Sequence, residues 1–458
     1  TEGPPRMTIV SGVHRHYRRF IEGDVETRTY LIRYRYLPWM VGKLLLPLRY
    51  LLAILLRVVL SAVKPLVHIR FGRYMSVSIG AWVIPMELYL CQKREGLLPK
   101  RTLDIFYHWN GTKFMLRKPV RYQDQVCNEY VHSIFKRVLN IKQIAFTLDD
   151  LNRMLPKGSE TFQVPGTPQY DAFGLLKNPV PDYLAFSQEE EQAGQEALAK
   201  MGVTPGSPFV CFYARDGVYI SQNEPPMTSL YGTRDENLFR NSDIETYLPA
   251  VNDLTRRGYF ALRVGKLVDK PLQQDNPMVI DYASRYHSDF LDVYLAAKCA
   301  FFIGMNGGII HLPSIYRRPM ALANLVPLTE MVVGCEETVF IPKKFYSAKS
   351  GRLLTFREIL SEPDLAWYTS LKHDANRKFY DGLGIELQDN TPEEILALTD
   401  EVERRACGSF TEEKEDLELQ SQFQLVVEES KGVLASFDDF KRLRIGSQFL
   451  RENRGLLA

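Results

Sequence analysis

The chain has 458 residues, 45% hydrophobic and 24% charged, with a formal net charge of +2. That is ordinary for a folded soluble protein and too long for one core, so two or three domains are expected. The near-neutral total hides a segregation: residues 1–75 carry thirteen Lys/Arg against four Asp/Glu, and residues 389–430 carry thirteen acidic side chains against three basic ones.

Residues 37–67, LPWMVGKLLLPLRYLLAILLRVVLSAVKPLV, form the most apolar stretch. Its longest uncharged piece, Tyr50 to Leu56, falls short of the ~20 residues that a spanning helix needs. On a helical wheel Lys43, Arg49, Arg57 and Lys64 share about a third of the circumference. With Trp39 just upstream, an apolar body and a narrow basic stripe fit a helix lying in the headgroup plane of an anionic membrane, without spanning it. A core helix with its cationic stripe in water is the plainer alternative. Nucleic acid is not an expected partner, because the run lacks polar and aromatic groups spaced for bases.

From His68 the pattern alternates. Strands are predicted at 75–79, 103–108 and 144–146, with helices at 81–94 and near 124–139, which argues for an α/β domain. Ser187 opens a helix with glutamates in its first turn, and 202–208 reads as a linker. The following strands are 209–215, 259–265, 278–283, 300–304 and, last, 319–325. Helices 243–257, 288–298 and 307–316 lie between them, and Thr391 caps an acidic C-terminal helix. Such alternation implies a parallel sheet with its ligand site at the strands' C-terminal ends.

The leading site candidate is Gly304-Met305-Asn306-Gly307-Gly308, between a strand and a helix. Paired glycines admit a close ligand, and a helix start offers N–H groups to phosphate; a tight turn explains the same residues. His311, one turn on, is placed to reach a diphosphate or to serve the core. Arg215 and Asp216 follow one strand, and Arg263 with Gly265 ends the next, where arginine holds diphosphate bidentately. Arg240-Asn241 reads as a site pair or a cap (Asn241 or Ser242), Asp281 as ligand or turn, Lys343-Lys344 as a phosphate contact or a surface pair. No D-x-D occurs and no metal-spaced cluster is evident, so no metal or other cofactor is expected. Six cysteines without a C-x-x-C pair point to a reducing compartment, and no cleavable signal peptide is visible.

The words RNSDIETYLPAV, GYFALRVG, VIDYAS, SDFLDVYLAAKCAFFIG and the Gly-Gly turn through LANLVP resemble a family of bacterial glycosyltransferases found with surface-polysaccharide genes. The strand followed by Arg215-Asp216 is distantly similar to O-fucosyltransferase donor domains, and FGRYMSVSIG with Glu87 extends the likeness thinly. The resemblance implies two Rossmann-like domains in a GT-B arrangement behind an N-terminal amphipathic segment. Residues 1–70 would be the basic, membrane-interacting segment and 71–187 the acceptor domain. Residues 205–385 would be the nucleotide-sugar domain and 389–458 acidic helices. It further implies sugar transfer from a nucleotide-sugar to a lipid-linked glycan, by a peripheral protein on the cytoplasmic face of the membrane. Two histidines of the family pattern are replaced, at Ala81 and Tyr213. The substitution leaves Glu87, or a group near Gly80, to activate the acceptor. A sugar-nucleotide epimerase and a non-catalytic nucleotide- or glycan-binding protein are the alternatives on the same fold.

Overall fold

A computed structural model of the chain describes residues 44–76, 78–109, 126–166, 171, 174–219, 239–328, 337–362, 377–430 and 442–458; Trp39 and Lys43 lie outside them. From the N-terminus run α1 (Leu46–Val63), β1 (His68–Met75), α2 (Ile79–Arg94), β2 (Thr102–Trp109), α3 (Glu129–Val138), α4 (Ile144–Arg153) and α5 (Gln188–Lys200). Next come β3 (Phe209–Phe212), α6 (Leu248–Arg256), β4 (Phe260–Arg263), β5 (Val279–Ile280), α7 (Asp289–Lys298), β6 (Phe302–Gly304) and α8 (His311–Ile315). Then follow β7 (Met320–Leu325), β8 (Val339–Pro342), β9 (Lys344–Ser347), β10 (Arg352–Leu353), α9 (Phe356–Ser361) and α10 (Arg377–Leu383). The last are β11 (Ile385–Gln388), α11 (Pro392–Ala406), α12 (Lys414–Glu429) and α13 (Ser447–Glu452).

Two compact units result: one of residues up to Arg73 with Arg101–Gln125 and Asn140–Pro165, the other of Tyr74–Lys100, Val126–Leu139 and the chain from Gly166 onward. The first unit holds α1, α4 and most of the two-stranded β1–β2 sheet around Leu60, Phe71, Tyr107, Ala145 and Phe162. Residues 144–146, expected as a strand, are the first turn of α4. Ala145 is buried while Ile144 is 67% exposed, the three-to-four-residue period of an amphipathic helix rather than a buried strand. The strand expected at 75–79 lies earlier, at His68–Met75. Among the described residues before Phe209 only these two strands occur, so a doubly wound N-terminal sheet is not seen.

On helix α1 two residues of the basic stripe face protein while Lys64 is exposed: Arg49 pairs with Asp150, and Arg57 donates to the Asn152 side chain and the Pro156 carbonyl. Only Ala53 and Leu60 of the helix are buried, and its apolar face is open.

The second unit is built on a six-stranded parallel sheet in the order β5-β4-β3-β6-β7-β8. FVCF and FALR are buried at every position, as parallel strands covered on both faces must be. The chain winds outward from β3 through β4 to β5, then returns to β6 on the other side of β3 and continues to β8. This is the doubly wound order, whose switch point lies between β3 and β6. The expected last strand, β7, has β8 beyond it; the predicted strand 278–283 shortens to β5, and Tyr282–Arg285 is helical. The predicted helix 243–257 is a 3-10 turn, Ile244–Tyr247, followed by α6, with Pro249 in the first turn of α6. Residues 307–316 likewise form a 3-10 turn, Gly308–Ile310, and the five-residue α8. The predicted caps at Ser187 and Thr391 both close capping boxes, with Glu190 and Glu394. The acidic α11 and α12 turn Ile395, Leu398, Val402, Leu419 and Phe423 into the same core as the sheet.

Candidate functional site

A cavity of about 150 Å³ opens at the C-terminal ends of β3, β4 and β6, at the switch point. Tyr213, Arg215 and Asp216 line it from the end of β3, Gly265 and Lys266 from β4, and Gly307 and Gly308 from β6; Ser78, Cys127 and Asn128 complete one wall. All belong to the second unit.

The guanidinium of Arg215 is oriented by Asn241 Oδ1, while Asn241 Nδ2 donates to the Asp216 carbonyl at 3.1 Å and its own carbonyl accepts from Lys343 Nζ at 2.8 Å. Asn241 is thus a positioning group, and the cap of the following turn is Asp243, whose side chain accepts from Glu245 N. Burial pulls the Lys343 ammonium pKa down while Asp389 Oδ1, 2.6 Å away, opposes that. The Asp216 carboxylate accepts from Val218 N (3.0 Å) and Asp269 N (2.8 Å), so its charge is spread into two loop amides. Lys266 Nζ meets the Cys127 carbonyl at 2.6 Å and Asp289 Oδ1 at 3.0 Å. Burial pushes the Tyr213 phenol up to about 12, so it stays protonated and able to donate.

The glycines have local reasons. A Cβ on Gly307 would come within 3.1 Å of the Tyr213 ring, and one on Gly308 would stand 3.0 Å from Gly80 N. Conversely, a Cβ on Gly80 would meet Gly308 Cα at 2.9 Å. The Gly-Gly turn and the start of α2 approach backbone to backbone, which no larger residue allows without movement. Gly265 sits at φ +151, a conformation side chains rarely adopt.

Several expected site residues stand elsewhere. Arg263 is buried; its Nη1 donates to Lys270 O at 2.7 Å and lies 3.7 Å from Asp281 Oδ1, while Asp281 Oδ2 accepts from Leu272 N. Both hold the loop after β4 and neither lines the cavity. Asn306 donates to Val326 O at 2.7 Å, tying the β6 turn to the end of β7, and Arg240 too is absent from the lining. His311 packs against Gly80, and burial lowers its pKa to about 4, so at neutral pH it carries no charge for a diphosphate. Glu87, expected to activate an acceptor, is fully buried: Arg317 Nη2 donates to it at 2.7 Å, the Tyr183 hydroxyl donates to its other oxygen, and Cys91 Sγ lies at 3.5 Å. It is a structural anchor, buried, ion-paired and absent from the cavity lining. Lys344 pairs with Glu394 at 2.9 Å.

Lys266 and Asp292 were not among the expected site groups, and neither was one cluster. Ligand atoms of His287, Asp289 and Asp292 lie within 4.8 Å of one another, and Asp292 lines the cavity. Their 287/289/292 spacing was the available signal. Each is engaged by protein: Asp292 accepts from Tyr282 (2.8 Å) and pairs with His287 (3.1 Å), while Asp289 takes Lys266 and Glu129 N. The described cysteines are all free.

No family model matches the sequence, and no curated protein does. Two solved structures are similar. One is ADP-heptose lps heptosyltransferase II from E. coli, 11% identical over 55% of this chain and 83% of that one, with a TM-score of 0.28. The other is a glycosyl transferase family 9 structure from Veillonella parvula DSM 2008, 8% identical over 56% and 80%, with a TM-score of 0.28. Likeness at this level assigns no activity to the chain.

Proposed function

We propose that the chain is a glycosyltransferase that moves a sugar from a nucleotide-sugar to a lipid-linked glycan, working without a metal on the cytoplasmic face of a bacterial membrane. The observation that carries this reading is the cavity at the switch point, where a fixed arginine, a lysine, a phenol and a Gly-Gly turn converge. Arg215 is held ready for a two-pronged bond to phosphate, and Lys266 exchanges Asp289 for a second phosphate oxygen. Tyr213 donates to the sugar or its phosphate across the space that Gly307 leaves. In the transfer, an acceptor hydroxyl forms a bond to the anomeric carbon as the bond to the phosphate oxygen breaks, and the hydroxyl's proton passes to the departing phosphate oxygen. Arg215 and Lys266 balance the charge that gathers on the leaving group. The α8 helix is too short for its dipole to carry that task. The metal-free reading rests on the protein partners that already occupy His287, Asp289 and Asp292.

A second reading, a nucleotide- or glycan-binding protein without turnover, is favoured by one observation. Position 81 is alanine and Glu87 is locked in an ion pair, so neither group expected to take the acceptor's proton offers a base.

Calorimetric titration with UDP, GDP, CMP and dTDP, with magnesium and with chelator, tests the donor site. One nucleotide binds in the micromolar range, chelator leaves it unchanged, and Arg215→Ala weakens it by about 10–100-fold, the worth of a charge-assisted bond. Failure of all four removes the donor site, and binding only with magnesium turns the reading toward the His287 cluster. Binding without transfer of labelled sugar to lipid extract selects the second reading.

A further inference from the structure

We infer that α1 lies flat in the surface of an anionic lipid bilayer, apolar face down, with the first unit riding on its basic side. This deepens the proposed membrane-held acceptor but does not depend on the donor site. Leu48, Leu51, Leu52, Leu55, Val58 and Val59 are each 44–61% exposed, a contiguous apolar strip of a size soluble surfaces seldom leave open. A helix of 18 residues is ~27 Å long, enough by length to cross a bilayer. Its flank is occupied, however. Arg49 and Arg57, two turns apart, bind Asp150, Asn152 and the Pro156 carbonyl, and the Arg57 guanidinium lies 5.4 Å over the Phe162 ring. Lipid therefore reaches one side of the helix and protein the other, which is the in-plane arrangement.

Charge names the occupant. Among the described residues the first unit carries nine basic side chains against four acidic ones. Lys64, Arg101, Lys142 and Lys157 are exposed there, and the exposed acid is Glu160. An anionic headgroup layer complements that surface. A second copy of the chain would set the same positive unit against itself, which electrostatics disfavours.

Flotation of the full chain tests this, using phosphatidylcholine vesicles with and without phosphatidylglycerol. The chain floats with the anionic vesicles and far less with the neutral ones. Leu51→Glu and Leu55→Glu each lower the partition by about 10-fold or more, while Leu55→Phe retains it. Each variant is checked for a far-UV circular dichroism spectrum and a cooperative melt equal to the parent's, so that loss of flotation is not loss of fold. Equal flotation of parent and glutamate variants overturns the inference, as does a parent that stays with the aqueous layer. So does a lipid-free dimer that the same glutamates dissociate. Nucleotide binding that survives a flotation failure leaves the donor-site reading standing.

Discussion

His311 shows how far a site candidate can sit from the role its position suggests. It follows the Gly-Gly turn, but it packs on Gly80, and its buried Nδ1 has no hydrogen-bond partner among the described residues. Its folded pKa of about 4 lies below the ordinary value of 6.5, so the unfolded chain binds the extra proton. Stability is full above pH ~6.5 and falls as pH drops toward ~4, by on the order of 3 kcal/mol in all. Urea melts from pH 7 to 4 check this: His311→Leu lacks that portion of the pH slope, and an unchanged slope would refute the burial argument. Arg215 was legible because a charged residue ending a buried strand points to a ligand site. Arg263 carries the same signal, yet its side chain turns under the next loop to meet Lys270 and Asp281. The difference is a matter of which loop closes over it, and loops of this kind leave no period in the sequence. Lys266 and Asp292 were hidden for a related reason: one is a single lysine in a loop, the other an inward residue of a helix whose register against the cavity is set by tertiary packing.

At the scale of elements, the clean signals were capping and continuous apolar runs, and the failures were short segments. Ile144-Ala145-Phe146 is compatible with strand or helix until Asp149 and Asn152 are seen to share the buried side of α4. The α2 helix is buried from Trp82 through Cys91, which leaves no polar face for a surface carboxylate. Glu87 is tolerated there by Arg317, so Glu87→Gln leaves a guanidinium buried without its counter-charge. Thermal and denaturant melts should show a loss of about 3–5 kcal/mol, the usual cost of breaking one partner of a buried pair. Nucleotide affinity should stay at the parental level, since Glu87 is not in the cavity lining. A variant as stable as the parent would mean that the pair is replaceable and that Glu87 is retained for something else. The wheel of α1 placed its basic stripe correctly on one side; what a wheel cannot say is which side faces protein.

Across the whole molecule, the doubly wound sheet was legible as a class, because buried strands alternated with helices from Phe209 to Leu325. Its sixth strand and the elements that cover it were not. The edge beyond β8 is closed by a distant segment: Phe340 N donates to Arg444 O, and Gly446 N donates to Phe340 O, each at 3.0 Å. Leu443, Ile445, Phe449, Leu450, Leu456 and Leu457 enter the same core. At ~1.5–3 kcal/mol for each buried side chain, their loss matches or exceeds the whole margin of a typical domain. A chain cut after Glu429 should therefore elute as aggregate on gel filtration and show no cooperative melt; a soluble, cooperatively melting fragment would show that the edge closes by other means. There is also a temporal side to this closure. A ribosome that has delivered the sheet has not yet delivered residues 442–446, so the growing chain carries an open strand edge and an uncovered apolar face for the time it takes to add about a hundred residues. That interval is when a chaperone would find the protein, and when crowding by its own nascent copies would do it most harm.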